Sequence, residues 1–384
     1  MSDTRKTTKP NVPNLRFPGF EGEWELKKLS AYLYENKERN RNGEFNKSDV
    51  LSVSGDCGIV NQIELLGRSF AGKSVADYHV VRTDDIVYTK SPLKEYPYGI
   101  VKYNNGQDGI VSTLYAVYHH KDNVDGQFVE YYFTNPQRTN RYFKPIVRIG
   151  AKHDMKIGNE EVLDSFVVFP GMEEQRKITE MLSLLDRRIA IQNKVIEKYE
   201  SLIKALRHHL FSTLEPVKEV SVADLLSYEQ PTKYIVSDTE YSNNTDLTPV
   251  LTANKAFILG YTDEVEGIYD KGPCIILDDF TLDSKIVEFP FKVKSSAIKI
   301  LSAKTTVSLR YIFEYLKFLD LNTEEHKRHY IAEIEPMSIE LPEEDTIKSI
   351  AFLFDLMDKR RKGLEREQRL LKSQKDYLLR EIFI

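Results

Sequence analysis

Residues Gly67-Arg-Ser-Phe-Ala-Gly72-Lys73-Ser74 fit the expression G-x-x-x-x-G-K-S in full, the pattern in which backbone amides and a lysine cradle phosphates. That chemistry needs a strand running into the glycine loop and a helix N-terminus running out of it, so that orphan amides face the anion. The next residues, VADYHVVRTDDIVY, turn strand-like within a few positions and leave no room for the helix. The acidic strand end that would complete such a site, Cys274-Ile-Ile-Leu-Asp278-Asp279, lies far along the chain, beyond a long helix. A P-loop ATPase with a coiled-coil arm is therefore the alternative reading, and Lys73 fits better as a lone loop lysine touching a phosphate.

Other constellations carry less. Asp278, Asp279 and Asp283 beside Lys285 can be forced into a nuclease pattern. They equally suit a solvated turn, or a loop that accepts a hydrogen bond from cytosine N4. His79, His153, His326, His329 and the pairs at 119/120 and 208/209 do not fall at helical metal spacing with carboxylates or cysteines. Cys57 and Cys274 stand outside any C-x-x-C, which fits a reducing compartment and buried small hydrophobes. No N/D-P-P-F/Y methyltransferase signature appears. No catalytic, metal or cofactor site is expected in this chain.

Charge points elsewhere. A net charge of −5 gives no global basic field, so any polyanion surface is local. Arg138, Arg141, Lys144, Arg148, Lys152 and Lys156 cluster with His153 against only Asp154, and Tyr142 and Phe143 are interleaved. Later come Lys292, Lys294 and Lys299, and then His326-Lys327-Arg328-His329. Lysines and arginines among polar neighbours are what phosphate contacts need.

These clusters flank two long helices. From Pro170 to Phe211 the apolar residues Ile178, Leu182, Leu185, Ile189, Ile196, Tyr199, Ile203, Leu206 and Leu210 step by four and three, with one gap at Gln192. That heptad seam predicts a helix of roughly 60 Å at ~1.5 Å per residue, and such a helix needs a partner. Sliding the sequence by 172 lays Phe166–Phe211 on Ser338–Phe383 without a gap, and Ile350, Met357, Leu364, Leu371 and Leu378 repeat every seven. Taking Ile178 as a d position, the first helix has a clean a column of Leu182, Ile189, Ile196, Ile203 and Leu210. The second has the clean d column, while its a column reads Phe354, Arg361, Gln368, Lys375 and Ile382. Antiparallel pairing layers a on d, so strong meets strong and Gln192 meets the polar column. Parallel pairing would bury Arg361, Gln368 and Lys375 against aliphatic side chains. An antiparallel coiled coil is predicted, with a polar side at Gln192, Arg361, Gln368 and Lys375 open to water or a partner.

The flanking segments repeat as well. Short strand-like runs (Val50–Val53, Ile86–Thr89, Gly99–Tyr103, Leu114–Tyr118) and a helix near Gln127–Asn135 precede the first long helix. Trp24–Leu33 matches Val217–Leu226, Val50-Leu51-Ser52 matches Val250-Leu251-Thr252, and Glu130–Phe133 matches Arg310–Phe313. The expected fold is α+β: two similar mixed α/β domains separated by two long helices in an antiparallel coiled coil, a pseudo-twofold internal repeat. The boundaries read as 1–15 flexible arm, 16–169 first domain, 170–214 central helix, 215–341 second domain and 342–384 distal helix. At 384 residues and 41% hydrophobic, the chain is of ordinary soluble composition. It shows neither a signal-peptide core nor a membrane-length apolar run, so it is expected in the cytoplasm. Two related surfaces at a fixed spacing suit a dimeric style of DNA reading.

At RFPGFEGEWELKKLS (Arg16–Ser30), YHVVRTDDIVYTKSP (Tyr78–Pro92), PGMEEQRKITEMLSLLDRRIAIQNKVIEK and its distal copy LPEEDTIKSIAFLFDLMDKR, the chain resembles the specificity (S) subunit of type I restriction-modification systems. TPVLTANKAFILGYTDE and FPFKVKSSAIKIL look like target recognition domain sequence. The resemblance covers almost the full length. It implies two target recognition domains, each reading half of a bipartite double-stranded DNA site, with the helices as a ruler and as the docking place of two methyltransferase (M) subunits. Restriction (R) subunits would join through the complex, which would be an adenine-N6 DNA methyltransferase and ATP-dependent endonuclease. S-adenosylmethionine, ATP and magnesium would then be bound by partner subunits. By residue type and loop placement, the expected DNA contacts are Lys73, Lys90, Ser91, Lys94, Arg141, Arg148 and Lys152 in the first domain. In the second they are Asn254, Lys255, Asp279, Thr281, Lys292 and Lys294.

Overall fold

The computed structural model describes residues 10–149, 155–253, 256–321 and 327–384. Lys152, Asn254 and Lys255 lie outside the described residues. The chain divides into two compact units, Met1–Gln192 with Glu367–Ile384, and Asn193–Arg366.

Unit 1 runs β1 (Glu25–Lys28), β2 (Leu33–Glu35), β3 (Leu51–Ser54), β4 (Gly58–Asn61), α1 (Gln62–Leu66), β5 (His79–Val81), β6 (Ile86–Thr89), β7 (Val101–Tyr103), β8 (Gly109–Val111) and β9 (Tyr115–His120). Then come α2 (Gly126–Thr134), α3 (Pro136–Phe143), β10 (Arg148–Ile149), β11 (Met155–Lys156), β12 (Phe166–Phe169) and α4 (Met172–Ser212), whose second half belongs to unit 2. Unit 2 continues with β13 (Lys218–Ser221), α5 (Val222–Leu225), β14 (Leu226–Glu229), β15 (Thr248–Leu251), β16 (Ile258–Thr262), β17 (Cys274–Asp278), β18 (Ser284–Val287), β19 (Lys292–Val293) and β20 (Ile298–Ala303). It closes with α6 (Leu309–Phe318), β21 (Ser338–Leu341) and α7 (Glu344–Glu381), which returns to unit 1. The fold is the mixed α/β class expected.

Topology carries the repeat further than sequence does. Unit 1 has an antiparallel sheet ordered β2-β9-β6-β7, and unit 2 has one ordered β14-β20-β17-β18. In each unit a short clasp joins the entry strand to the strand before the long helix: β1 on β12, with Glu25 opposite Phe169, and β13 on β21, with Lys218 opposite Leu341. One equivalence read from the sequence needs shifting. Helices α2 and α6 begin at the N-caps Asp125 and Ser308, and Phe128 packs on Phe383 as Tyr311 packs on Phe211. This aligns Phe128 with Tyr311, an offset of 183 rather than the 180 implied by matching Glu130–Phe133 to Arg310–Phe313. The aromatic-rich strings match in either register; the cap and the facing phenylalanine decide it.

The glycine motif is not a phosphate loop. Helix α1 stands before Gly67 where a strand is required, and no helix separates Ser74 from β5. The P-loop ATPase reading is overturned, because no helix N-terminus is there to face a phosphate.

Helix pairing is antiparallel in each unit taken alone. In unit 1, Ile178 and Leu182 share the core with Leu379, Ile382 and Phe383, while Arg188 reaches back to Glu367 at 3.6 Å. In unit 2, Phe211 joins Ile347, Ile350, Phe354 and Met357, with Tyr199, Ile203, Leu206 and Leu210 packed alongside. Ile350, Met357, Leu364 and Leu371 are buried as the seam predicts, and Ile189 and Ile196 are half-buried. Leu378 is only half-buried, because the last turn of α7 rolls Leu379, Ile382 and Phe383 into the aromatic core instead. Ion pairs run along the polar side, and Arg361 and Lys375 stay half-buried. Arg361 holds Asp358 at 2.6 Å and also Glu365 on its own helix, Lys375 holds Asp186, and Gln192 is buried.

Candidate nucleic-acid interface

The turn after the sheet's third strand is the best-placed surface in each unit. In unit 1 it spans residues 90–100 between β6 and β7, and in unit 2 residues 279–283 between β17 and β18. Because the two sheets share one order, the two turns leave equivalent edges of equivalent frames.

Unit 1 builds its turn rigidly. Gly99 sits at φ +88°, and a Cβ there would come within 2.0 Å of the Thr89 carbonyl, so only glycine closes the loop. The Tyr88 hydroxyl donates to the Tyr98 carbonyl at 2.6 Å, Asn140 Nδ2 donates to the Glu95 carbonyl at 3.1 Å, and the Tyr96 hydroxyl donates to the Thr134 carbonyl. The loop is pinned to α2 and α3, and Ser91 and Lys94 remain exposed. Asn135 caps α3 through Arg138 N at 3.0 Å, and Pro136 fixes its first turn. Arg141 then projects into solvent.

On the short β10–β11 hairpin, Arg148 stands directly opposite Lys156, and both side chains are exposed. Like charges facing across a ladder are destabilising, so the pair forms a local positive patch at some cost to folding. Lys73 is exposed in the loop between α1 and β5.

Three expected contacts turn out to be interior latches. The Lys90 ammonium donates to the Ile157 carbonyl at 3.0 Å and to Asn159 Oδ1 at 2.6 Å, and burial lowers its pKa. Asp279 is 1% exposed, pairs with Lys299 at 3.2 Å and accepts from the backbone amides of His329 and Tyr330 at 3.1 and 2.8 Å. Lys292 is 3% exposed, pairs with Glu264 at 2.7 Å and donates to the Glu266 carbonyl at 2.6 Å. Each charge is spent inside its unit, so the contact role moves off these three side chains. Thr281 and Lys294 stay exposed. Thr281 sits in a tight turn whose amides at Phe280 and Thr281 donate to Asp278 Oδ1.

The sequence pattern singles out Lys285 only beside the acids at 278, 279 and 283, and Lys317 not at all. Their signal is faint: Lys317 is one turn after Phe313 and next to Phe318 in α6, a lysine among apolar neighbours. Among the described residues, no group of three His, Cys, Asp or Glu side chains is placed to share a metal ion. Nor is any helix there long and apolar enough to cross a membrane.

No family model matches the sequence. The specificity subunit of the Escherichia coli type I restriction enzyme EcoR124I/EcoR124II is 42% identical over 132 residues, covering 33% of this chain and 32% of that protein. The match thus spans about a third of that relative's length. By structure, the S subunit of a type I restriction-modification system from M. genitalium aligns over 97% of this chain and 99% of its own, with TM-score 0.61 and 13% identity. A chain from work on complex assembly and conformational transition of the type I R-M system aligns over 94% and 96%, with TM-score 0.52 and 12% identity. Over a third of its length the chain is thus similar in sequence to a type I restriction enzyme specificity subunit, and over nearly all of it the chain shares the fold of type I restriction-modification S subunits.

Proposed function

We propose that this chain is the DNA-binding specificity subunit of a type I restriction-modification complex, without a catalytic step of its own. Residues 16–169 and 215–341 each read one half of a bipartite duplex site. The helices over 170–214 and 342–384 set the unread spacer and receive two methyltransferase subunits, with restriction subunits joining through the assembly. S-adenosylmethionine, ATP and magnesium belong to those partners, and the complex works in the cytoplasm as an adenine-N6 methyltransferase and ATP-dependent endonuclease.

One observation carries this reading. Two units share a sheet order, and each offers an exposed turn from the same position, as a reader of paired half-sites requires. The turns differ in length and residues, as readers of different bases must. The contacts proposed are Lys73, Ser91, Lys94, Arg141, Arg148 and Lys152 on one side, and Asn254, Lys255, Thr281 and Lys294 on the other. Phosphate contacts and base contacts separate by salt: each lysine lost from a phosphate should reduce the salt slope of duplex binding by about one.

The test is a domain swap. Replacing residues 16–169 by another recognition domain should change one half of the methylated site, read by sequencing methylated adenines. If both halves changed, or neither did, the modular reading fails. Deleting one heptad from both helices should shorten the spacer and leave both half-sites as they were.

A further inference from the structure

Unit 2 contains a groove of about 660 Å³ between β18, α6, the second half of α4 and the first half of α7. Most charges on its walls cancel. Arg207 pairs with Glu314 at 2.7 Å, Arg310 pairs with Asp355 at 2.6 Å, and Arg361 and Lys362 share Asp358. Two do not. Among the described residues, neither Lys317 nor Lys285 has a carboxylate within 4.0 Å, although both line the groove. Glu200, the lining carboxylate left without an ion pair, is exposed.

Lys317 is the telling one. It is half-buried, and its ammonium lies 5.9 Å from the Phe313 ring centre. Burial lowers its pKa first, and Lys285 and Arg207 push the same way, while Asp283 and Glu314 oppose them. Glu314 cannot serve as its counter-ion, because Arg207 and Arg310 already occupy both carboxylate oxygens. A desolvated cation beside two others is costly unless an anion offsets it.

We propose that this groove binds a phosphate-bearing anion, with Lys317 and Lys285 as its ligands. Phosphate oxygens suit the site because each accepts charge-assisted hydrogen bonds from ammonium groups. The same chemistry has two sources, a free phosphate compound or a phosphodiester of duplex DNA, and only the second rests on the DNA-binding reading.

The experiment titrates the full chain with inorganic pyrophosphate at low salt by calorimetry. Wild type should bind, and Lys317→Met and Lys285→Met should each weaken binding about tenfold or more. Lys348→Met, which removes a lysine paired with Glu344 at the start of α7, should leave binding unchanged. Lys317→Met should also raise the Tm, since an uncompensated charge leaves the interior. A lysine that merely supports the fold would lower it.

Duplex DNA added to the pyrophosphate-bound chain separates the sources. Displacement of pyrophosphate assigns the seat to the DNA backbone, whereas binding of both together assigns it to a free anion. Absence of DNA binding would remove the proposed function and leave the pyrophosphate result standing. Equal pyrophosphate binding by wild type and Lys317→Met, no binding at all, or a lowered Tm would overturn the site.

Discussion

The two units solve one structural problem with opposite chemistry. In each, the first residue after the sheet's third strand must tie down a distant segment. Unit 1 uses a cation: Lys90 donates to Ile157 and Asn159. Unit 2 uses an anion: Asp279 accepts from the amides of His329 and Tyr330. Both tethered segments precede the clasp strand, residues 157–159 ahead of β12 and 329–330 ahead of β21. What the repeat keeps is the position of the latch and the rule that buried polar groups find complements. The residue type is free to change sign. The turns beyond the latches, residues 90–100 and 279–283, have diverged further in length, as expected of surfaces under no shared packing constraint.

Asp279→Ala should break this comparison hardest. It removes the carboxylate partner of the Lys299 ammonium, 2% exposed, leaving it only the Tyr228 hydroxyl, and takes the acceptor from the Tyr330 amide, while the His329 amide keeps the Asp279 carbonyl. Removing one partner of a buried pair costs about 3–5 kcal/mol, read as a loss of unfolding free energy in urea. Adding Lys299→Met to Asp279→Ala should recover much of the loss by removing the stranded charge. A loss below about 1 kcal/mol in the single variant would deny the latch its role.

Unit 1 carries a pH liability at His79, a buried histidine on β5 whose pKa is lowered to about 4, first by burial and then by Arg39 and Lys90. The folded state therefore binds its proton less readily than the unfolded state, whose histidine titrates near 6.5. Stability is intact above pH 6.5 and falls as the pH drops from there toward 4, by up to roughly 3 kcal/mol. His79→Phe should flatten that slope when urea unfolding is compared at pH 7 and pH 5. An unchanged slope would show that acid sensitivity lies elsewhere.

Lys90→Met tests the weaker latch. Its partners are a carbonyl and an amide side chain, and the lysine is only partly buried, so the loss should be about 1–2 kcal/mol. The asymmetry itself is the prediction. If Lys90→Met cost as much as Asp279→Ala in the same urea titration, the latches would be equivalent in strength as well as position.

Much of this frame was legible beforehand, for physical reasons. The heptad columns are set by period, and period survives substitution, so the seam, the direction of pairing and the repeat at 172 could all be read. The register of α2 against α6 could not, because EYYF and RYIF match by composition and only the Asp125 and Ser308 caps with Phe383 and Phe211 fix it. The site was half legible. Exposed Lys94 follows from loop placement, and Arg141 and Arg148 are exposed although they sit on α3 and β10, whereas half-buried Lys90 and buried Asp279 and Lys292 look identical to them in sequence. A charge does not declare its partner until the chain folds.

Thiol labelling reports on the same contrast one unit at a time. Cys57 is exposed at the tip of the β3–β4 hairpin in unit 1, and Cys274 is buried at the start of β17 in unit 2, its thiol pushed up to about 12 by burial. Only the thiolate attacks a disulfide reagent, so one thiol per chain should react in the native protein, and the second only when unit 2 opens. Because Asp279 follows β17 directly, Asp279→Ala should speed the second reaction by roughly two orders of magnitude through easier opening. Lys90→Met, in the other unit, should leave it unchanged. Equal acceleration by both variants would mean that the units open together, and the two latches would then guard one cooperative structure rather than two.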